Sequence, residues 1–364
     1  MPISRELINQ AVLLPLAICV ACVGCGKSSN DSIALPSEDH GSTANVVATV
    51  GMVAELVRNV GGEHVQVTQI CGSGVDPHLY KPTRDDVQTI MGADVVFYCG
   101  LMLEGKMADV LKKISSNKPV FAVTEAIDKA TLFQPPEFEG HYDPHVWNDV
   151  SAWAECVTIV EQELAKFDPK HAEDYAANAK QYRAEFTKLH EYGVKVLGSI
   201  PEKSRVLITS HDAFNYFGRA YGLDVLGVQG LSTESEAGIQ RINELVDLLV
   251  EKSVKAVFVE SSVSRKNIDA LVEGAKSRGH DVVVGGELFS DAMGATGTYE
   301  GTYLGMLDHN ISTTARALGG DVPPGGFQGK LSGSEHSGSE GGGADSSVQE
   351  NAVQENAVQE KVAS

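Results

Sequence analysis

The sequence predicts an α/β protein of two lobes, each built on a four-stranded parallel sheet, bridged by one long rigid α-helix. Strand-like and helix-like segments alternate over residues 45–123 and again over 205–286. This alternation is typical of parallel sheets covered by helices on both faces. Between the two regions, residues 168–198 keep a helical pattern with no breaker before Gly193. The chain of 364 residues is long enough for two such domains.

The first lobe is predicted from short β-branched runs separated by helical segments. Gly61 or Gly62 ends the first helix, and Thr83 is the expected N-cap of the second. The predicted strands are 45–50, 64–71, 94–100 and 119–123, and the predicted helices are 51–62, 83–92 and 104–115.

The bridging helix and the second lobe follow by the same reasoning. Asp168 is the expected N-cap of the bridging helix and Pro169 its first residue. At 1.5 Å per residue, 25–30 residues span about 40 Å. The second lobe has predicted strands at 205–210, 224–229, 255–260 and 281–286, separated by helices near 212–221, 238–252, 265–278 and 300–318.

The N-terminus predicts export and a lipid anchor. Arg5 precedes the apolar run 11–24, which is too short for a membrane-spanning helix and fits a signal peptide. A small residue before Cys25 resembles a bacterial lipoprotein signal, so Cys25 is the expected lipidated residue; Cys22 and an ordinary signal peptide are the alternatives. The predicted organisation is a signal peptide at 1–24, a flexible tether at 25–44, lobes at 45–167 and 199–320, the bridging helix at 168–198 and a disordered low-complexity tail at 321–364.

The net charge and the cysteine content limit the partners and the chemistry that we expect for this protein. A formal net charge of −20 argues against nucleic-acid binding, which requires a basic surface. The three cysteines beyond the signal, Cys71, Cys99 and Cys156, are an odd number without zinc-motif spacing. We therefore expect them to be buried, unpaired and without a chemical role.

Polar side chains follow four of the predicted strands, where ligands bind in open parallel sheets. Two loops repeat Asp-Pro-His and supply His78 and His145, while His211 and Asp291 follow strands of the second lobe. Proline stiffens the two repeated turns. Three imidazoles and one carboxylate form a complete ligand set for a divalent ion such as Zn²⁺. The sequence therefore predicts a metal site where the lobes meet.

Acidic residues near these histidines are candidates for orienting the imidazoles. The candidates are Asp76, Asp143 and Asp212, which lie one or two residues from a histidine. Glu260 ends a strand at the same edge and is a candidate for tuning the charge of the site. Turn formation by the aspartates, and helix capping or surface exposure of Glu260, are equally open explanations. His141 is a weaker candidate for an accessory ligand.

The motifs that carry these residues resemble the zinc/manganese ABC-importer solute-binding lipoproteins of the TroA-like family. The similar stretches are "GVDPHLYKPT", "DPHVWND", "TSHDAFNYFGRAYGL" and "GGELFSDAMG" with "GTYEGTY", within residues 45–318. The resemblance implies two α/β lobes bridged by a rigid helix and carries the metal ligands onto His78, His145, His211 and Asp291. It implies Zn²⁺ or Mn²⁺ as transported ligand, with a permease and an ATPase subunit as partners.

The predicted function is therefore a monomeric, membrane-anchored receptor outside the cytoplasm that captures a divalent metal for an importer. A metal-binding surface adhesin is the alternative from another class. A metallohydrolase is disfavoured, because four protein ligands leave no position for water and no G-x-S-x-G motif is present. The chain lacks the long His-rich loop of many zinc-specific members, so zinc, manganese or iron all stay open as cargo.

Overall fold

The computed structural model describes residues 43–135, 138 and 140–331. The predicted signal peptide, the candidate lipidation at Cys25, nearly all of the tether and the repeats of the C-terminal tail lie outside these residues. Among the described helices, none combines the length and apolar character that a membrane span requires.

The first sheet has four parallel strands, as predicted. Their spatial order is β2 (Val65–Gln69), β1 (Ala44–Ala48), β3 (Val95–Tyr98) and β4 (Val120–Ala122), so the first described strand lies inside the sheet and later strands add on both sides. Thr83 caps the second helix through its side chain, which accepts from the Asp86 N–H while Asp86 accepts from Thr83 in return. The elements are β1 (Ala44–Ala48), α1 (Gly51–Gly61), β2 (Val65–Gln69), α2 (Arg84–Gly92), β3 (Val95–Tyr98), α3 (Ala108–Ile114) and β4 (Val120–Ala122).

Two consecutive helices lead away from this sheet. The first, α4 (Val150–Phe167), was not predicted, although Asp149 caps it by accepting from the main-chain N–H groups of Ser151 and Ala152. The second, α5 (Ala172–Gly198), is the expected long helix of 27 residues. It packs against α4 and α1, and against α9 (Tyr303–Leu318) of the second lobe. These contacts along its length make the helix part of the core rather than a free rod.

The start of α5 differs from the prediction. A 3₁₀ turn at Pro169–His171 precedes the helix, and Asp168 makes no capping hydrogen bond with its side chain. Its carboxylate instead accepts from the Tyr175 hydroxyl at 3.0 Å and lies 2.5 Å from the His171 ring nitrogen. The Asp168 carboxylate thus contacts side chains near the start of α5, whereas a helix cap would accept from main-chain N–H groups.

The second lobe has the predicted strands, but they form two parallel pairs instead of one sheet. Backbone hydrogen bonds in the described chain join β5 (Val206–Thr209) to β6 (Asp224–Gly227) and β7 (Ala256–Glu260) to β8 (Val283–Leu288), and β5 lies beside β7 without being paired to it. Where β5 ends, the His211 N–H donates to the Glu260 carboxylate rather than to a strand. A register shift after Val257 also distorts the second pair. The elements are β5 (Val206–Thr209), α6 (Asn215–Tyr221), β6 (Asp224–Gly227), α7 (Ile239–Glu251), β7 (Ala256–Glu260), α8 (Lys266–Ser277), β8 (Val283–Leu288) and α9 (Tyr303–Leu318).

The segment after α9 corrects the predicted tail boundary, because residues 321–331 are ordered. Phe327 is buried against Tyr192 of α5, and its N–H donates to the buried Asp308 carboxylate at 2.8 Å. The Gly- and Pro-rich composition of this segment suggested disorder, but one aromatic anchor and one buried acceptor fix it. The three expected buried cysteines are confirmed as buried and free.

Candidate metal centre

The four residues predicted as ligands come together in the structure. His78 lies in the loop after β2, and His145 lies just before the turn that leads into α4. His211 follows β5, and Asp291 follows β8. One ligand atom from each residue lies within 4.8 Å of every other, and all four side chains are buried. The two lobes therefore each supply two polar side chains to one enclosed cluster.

The spacing of these atoms matches that of ligands around a small cation. His145 Nε2 lies 3.2 Å from His78 Nε2 and 3.4 Å from His211 Nε2. Asp291 Oδ2 lies 3.2 Å from His211 Nε2, and Asp291 Oδ1 lies 3.4 Å from His145 Nε2. Tetrahedral ligands at zinc–nitrogen distances of about 2.0–2.1 Å are separated by about 3.3 Å. The cluster thus has the dimensions of a metal cage.

The Asp291 carboxylate has an unusual environment for a buried charge. The residue is 1% exposed, and neither carboxylate oxygen has a hydrogen-bond partner of good geometry among the described residues. A buried carboxylate without partners is costly, and such charges are normally paired or bound to a metal. The nearest polar atoms are the ring nitrogens of the three histidines, so a cation at their centre would satisfy this carboxylate.

Two of the acids expected to support the site, Asp143 and Glu260, contact a histidine ring. Asp143 Oδ1 lies 2.7 Å from His145 Nδ1, and Glu260 Oε2 lies 2.5 Å from His211 Nδ1. A carboxylate at Nδ1 holds the proton there and leaves the Nε2 lone pair free for a metal. Each acid also accepts from the main-chain N–H of its histidine, at 2.9 and 2.8 Å.

The other two acids do not contact a ring. Asp76 accepts from the His78 main-chain N–H at 2.8 Å through Oδ1 and from the Thr233 hydroxyl through Oδ2. The Asp212 carboxyl lies by Asn215, and burial raises its pKa. Neither contacts an imidazole ring, and the main-chain hydrogen bond of Asp76 fits the alternative of turn formation. His141 is exposed, outside the metal-ligand cluster, and packs against Phe138.

The charges of the cluster are strongly coupled. Burial lowers the pKa of His78 to about 4. Burial also acts to lower the pKa of His145, but the Asp143 and Asp291 carboxylates outweigh it and raise that pKa to about 9. His211 behaves in the same way, with Glu260 and Asp291 raising its pKa. Burial raises the pKa of Asp291, yet the two imidazoliums hold it well below its usual value. Without a metal, protons on His145 and His211 balance the carboxylates.

Sequence reasoning missed two residues that reach the Asp-Pro-His turns from the other lobe. The Thr233 hydroxyl donates to Asp76, and Asn215 Nδ2 donates to Asp143 Oδ2 at 3.2 Å. These pairs are separated by 157 and 72 residues. Neither Thr233 nor Asn215 stands in a motif with its partner, so only the three-dimensional arrangement reveals them.

Known proteins are similar to this chain in sequence and fold. The family described as "ZnuA: Zinc-uptake complex component A periplasmic" matches residues 46–317. The manganese-binding lipoprotein MntA of Bacillus subtilis (strain 168) is 52% identical over 299 residues, which cover 82% of this chain and 95% of MntA. The zinc-binding protein TroA of Treponema pallidum (strain Nichols) is 41% identical over 303 residues, covering 83% and 98% of the two chains.

Solved structures agree with these matches. The periplasmic zinc-binding protein TroA of Treponema pallidum superposes with a TM-score of 0.74 over 76% of this chain and 99% of its own, at 42% identity. The laminin-binding protein Lmb of Streptococcus agalactiae, described as bifunctional with adhesin and metal-transporting activity, has a TM-score of 0.66 at 29% identity, over 76% and 100% of the two chains.

The α/β class and the long helix are thus confirmed by both the structure and the likeness to TroA. The proteins of this group that match are named as metal-binding and substrate-binding components rather than enzymes, and the prediction that this chain is not an enzyme is confirmed. The chain belongs to the ZnuA family, within its TroA-like group of zinc/manganese solute-binding proteins.

Proposed function

We propose that this protein is the extracytoplasmic solute-binding component of an ABC importer for zinc, manganese or both. His78, His145, His211 and Asp291 hold the ion between the lobes. The observation that carries this proposal is the Asp291 carboxylate, which is buried and faces three ring nitrogens without a hydrogen-bond partner in the described chain. A single divalent ion would satisfy all four side chains at once.

The lobe arrangement suits capture and delivery. Residues 45–167 and 199–320 form the two lobes, and residues 168–198 join them. Each lobe contributes half of the ligands, so a small separation of the lobes would break the set and release the ion. The permease, with its ATPase subunit, is the partner that would cause this separation, and the receptor acts as a monomer.

The cargo is decided by competition between metals. Three imidazoles suit zinc, and a carboxylate with two free oxygens also suits manganese. MntA is described as manganese-binding and TroA as zinc-binding. The test is metal analysis of protein purified without added metal, followed by competition between Zn²⁺ and Mn²⁺. Purified protein that binds neither ion would contradict the proposal.

Anchoring rests on the sequence and on the relatives. MntA is named a lipoprotein, and this chain has the lipoprotein-like signal that ends at Cys25. We propose that the mature protein is exported and held to the membrane through lipid on Cys25, with more than one acyl chain for stable attachment. Mass spectrometry of the mature N-terminus tests this. An unmodified chain that starts elsewhere would contradict it.

A surface adhesin is the weaker alternative. Lmb is described as having both adhesin and metal-transporting activity, so the two roles are compatible in one protein. Adhesion alone, however, requires no buried cage of three histidines and one aspartate. The geometry therefore favours metal capture as the principal role.

A further inference from the structure

In each of the two Asp-Pro-His turns, the aspartate accepts a hydrogen bond from a side chain of the opposite lobe. In each turn, Oδ1 of the aspartate accepts the main-chain N–H of the histidine two residues later, at 2.8 Å for His78 and 2.9 Å for His145. The other oxygen, Oδ2, accepts from a side chain of the second lobe. Each aspartate thus connects a candidate ligand of the first lobe with a donor of the second.

In the first turn the donor is Thr233, whose hydroxyl donates to Asp76 Oδ2. Thr233 lies in the loop between β6 and α7 and is 8% exposed. The next residue, Glu234, forms an ion pair with Lys106 of the first lobe. This loop therefore contacts the first lobe at two adjacent positions, close to His78.

In the second turn the donor is Asn215, the first residue of α6. Its Nδ2 lies 3.2 Å from Asp143 Oδ2, while Oδ1 of the same carboxylate lies 2.7 Å from the His145 ring. The neighbouring Tyr216 hydroxyl donates to the Asp143 main-chain carbonyl at 3.0 Å. The start of α6 thus holds both the side chain and the backbone of Asp143.

His211 provides the contrast. Its orienting acid, Glu260, belongs to the same lobe and accepts both the main-chain N–H and the ring N–H of His211. The two hydrogen bonds between Glu260 and His211 therefore need no contribution from the other lobe. The two histidines of the first lobe are the ones whose supporting carboxylates take donors across the interface.

We propose that Thr233 and Asn215 are positioning residues for metal capture, acting through Asp76 and Asp143. The proposal rests on the metal site proposed above and adds its dependence on lobe contact. When the lobes touch, Thr233 and Asn215 restrain both Asp-Pro-His turns and aim the imidazoles at the ion. When the lobes separate, both carboxylates lose a donor and the first-lobe ligands lose their restraint.

The expected effect is on ligand orientation rather than on folding. Residues that orient metal ligands typically change affinity by about 10–100-fold when replaced. Neither Thr233 nor Asn215 is a predicted ligand, so a metal can still bind to the variants. Its coordination geometry should then become less uniform, which a spectroscopic probe detects.

The experiment uses Co²⁺ as a probe, because its visible absorption reports coordination geometry. Thr233→Val and Asn215→Leu remove the donors while keeping side-chain shape, and Asn215→Ala serves if the leucine variant does not fold. Thr233→Ser keeps the hydroxyl and should restore wild-type behaviour. Ser73→Ala is the matched control, because Ser73 also donates across the interface, at 3.0 Å, but to the Met293 main-chain carbonyl.

We expect Co²⁺ affinity to fall about tenfold in Thr233→Val and in Asn215→Leu, with an altered visible spectrum, at the lower end of effects known for such residues. Thr233→Ser and Ser73→Ala should keep the wild-type spectrum. Wild-type affinity and spectrum in folded Thr233→Val and Asn215→Leu (or Asn215→Ala) would overturn the inference, as would an equal effect of Ser73→Ala. Failure of the wild-type protein to bind Co²⁺, Zn²⁺ or Mn²⁺ would instead overturn the proposed function.

Discussion

Glu260 holds His211 at two points, with Oε1 2.8 Å from the main-chain nitrogen and Oε2 2.5 Å from ring Nδ1. Both side chains are completely buried. This arrangement fixes the backbone and the ring together, so that Nε2 faces Asp291 at 3.2 Å. The position of one candidate ligand is thus determined by an acid that lies 49 residues away in sequence.

Glu260→Gln should weaken metal binding by about 10–100-fold, because the amide keeps the shape but loses the charge that makes the imidazole a better ligand. Zinc and manganese affinities measured by competition with a chromophoric chelator test this. Glu287→Gln, an exposed acid on β8, is the control and should bind metal as the wild type does. Equal affinities for Glu260→Gln and the wild type would contradict the orienting role.

Metal binding should release protons. The pKa of His145 is raised to about 9 and that of His211 is also raised. Both rings are therefore positively charged imidazolium groups at pH 7 in the metal-free protein. A metal requires neutral imidazoles, so affinity should rise as the pH rises toward about 9 and fall progressively below it. Titration calorimetry in two buffers of different ionisation enthalpy measures the protons released. A heat of binding that does not depend on the buffer would contradict this charge assignment.

The same pKa shift predicts how the metal-free protein responds to pH. Because the folded pKa of His145 lies above its usual 6.5, the contribution of its ion pairs to stability is full below pH 6.5 and disappears as the pH rises through about 9. Denaturant unfolding of metal-free protein between these pH values should therefore show falling stability. His145→Ala should reduce this pH dependence, and an unchanged dependence in that variant would argue against the shift.

The packing of α5 against Tyr221 and Ile311 requires a glycine at position 193. A Cβ on Gly193 would lie 2.7 Å from the Tyr221 ring and 3.1 Å from Ile311. Gly193→Val should therefore destabilise the fold by about 1–3 kcal/mol through overpacking, while metal affinity stays unchanged. Gly198→Ala, where a Cβ meets open space, is the matched control and should not destabilise. Denaturant unfolding measures both variants, and equal stabilities would contradict the packing argument.

The long helix should limit the motion of the lobes. Because α5 packs against α1, α4 and α9 along its 27 residues, we expect a small tilt rather than a wide hinge closure. Solution scattering with and without Zn²⁺ should give nearly the same radius of gyration. A large compaction on adding metal would show that the bridge is flexible.

Much of this fold was predictable because its signals are local. Runs of β-branched residues, the Thr83 cap and the uninterrupted segment 168–198 each act within a few residues of sequence. The rule that ligands follow parallel strands then selected His78, His145, His211 and Asp291 as candidates. Helix α4 was missed although Asp149 and the apolar residues at Trp153, Cys156, Val157, Val160 and Leu164 indicate it.

Contacts between distant segments were not predictable. Asp76 and Asp143 stand at the same place in their Asp-Pro-His turns, yet only Asp143 contacts an imidazole ring, because side-chain rotamers and lobe packing decide the direction of a carboxylate. The division of the second sheet into two strand pairs was also not predictable, because the hydrogen bond from the His211 N–H to Glu260 joins residues 49 positions apart. Neither Thr233 nor Asn215 has a local sequence signal that points to its aspartate partner.

The central claim is that His78, His145, His211 and Asp291 act as one metal site. Isothermal titration of Zn²⁺ and Mn²⁺ into the wild type, His145→Ala, His211→Ala and Asp291→Asn tests it most directly, with His64→Ala as the control outside the cluster. We expect tight binding by the wild type and His64→Ala, and greatly weakened binding by the other three variants. In the wild type, metal at a thousandfold excess over its Kd should stabilise the fold by about 4 kcal/mol. Wild-type affinity in His145→Ala or His211→Ala would show that the ion binds elsewhere.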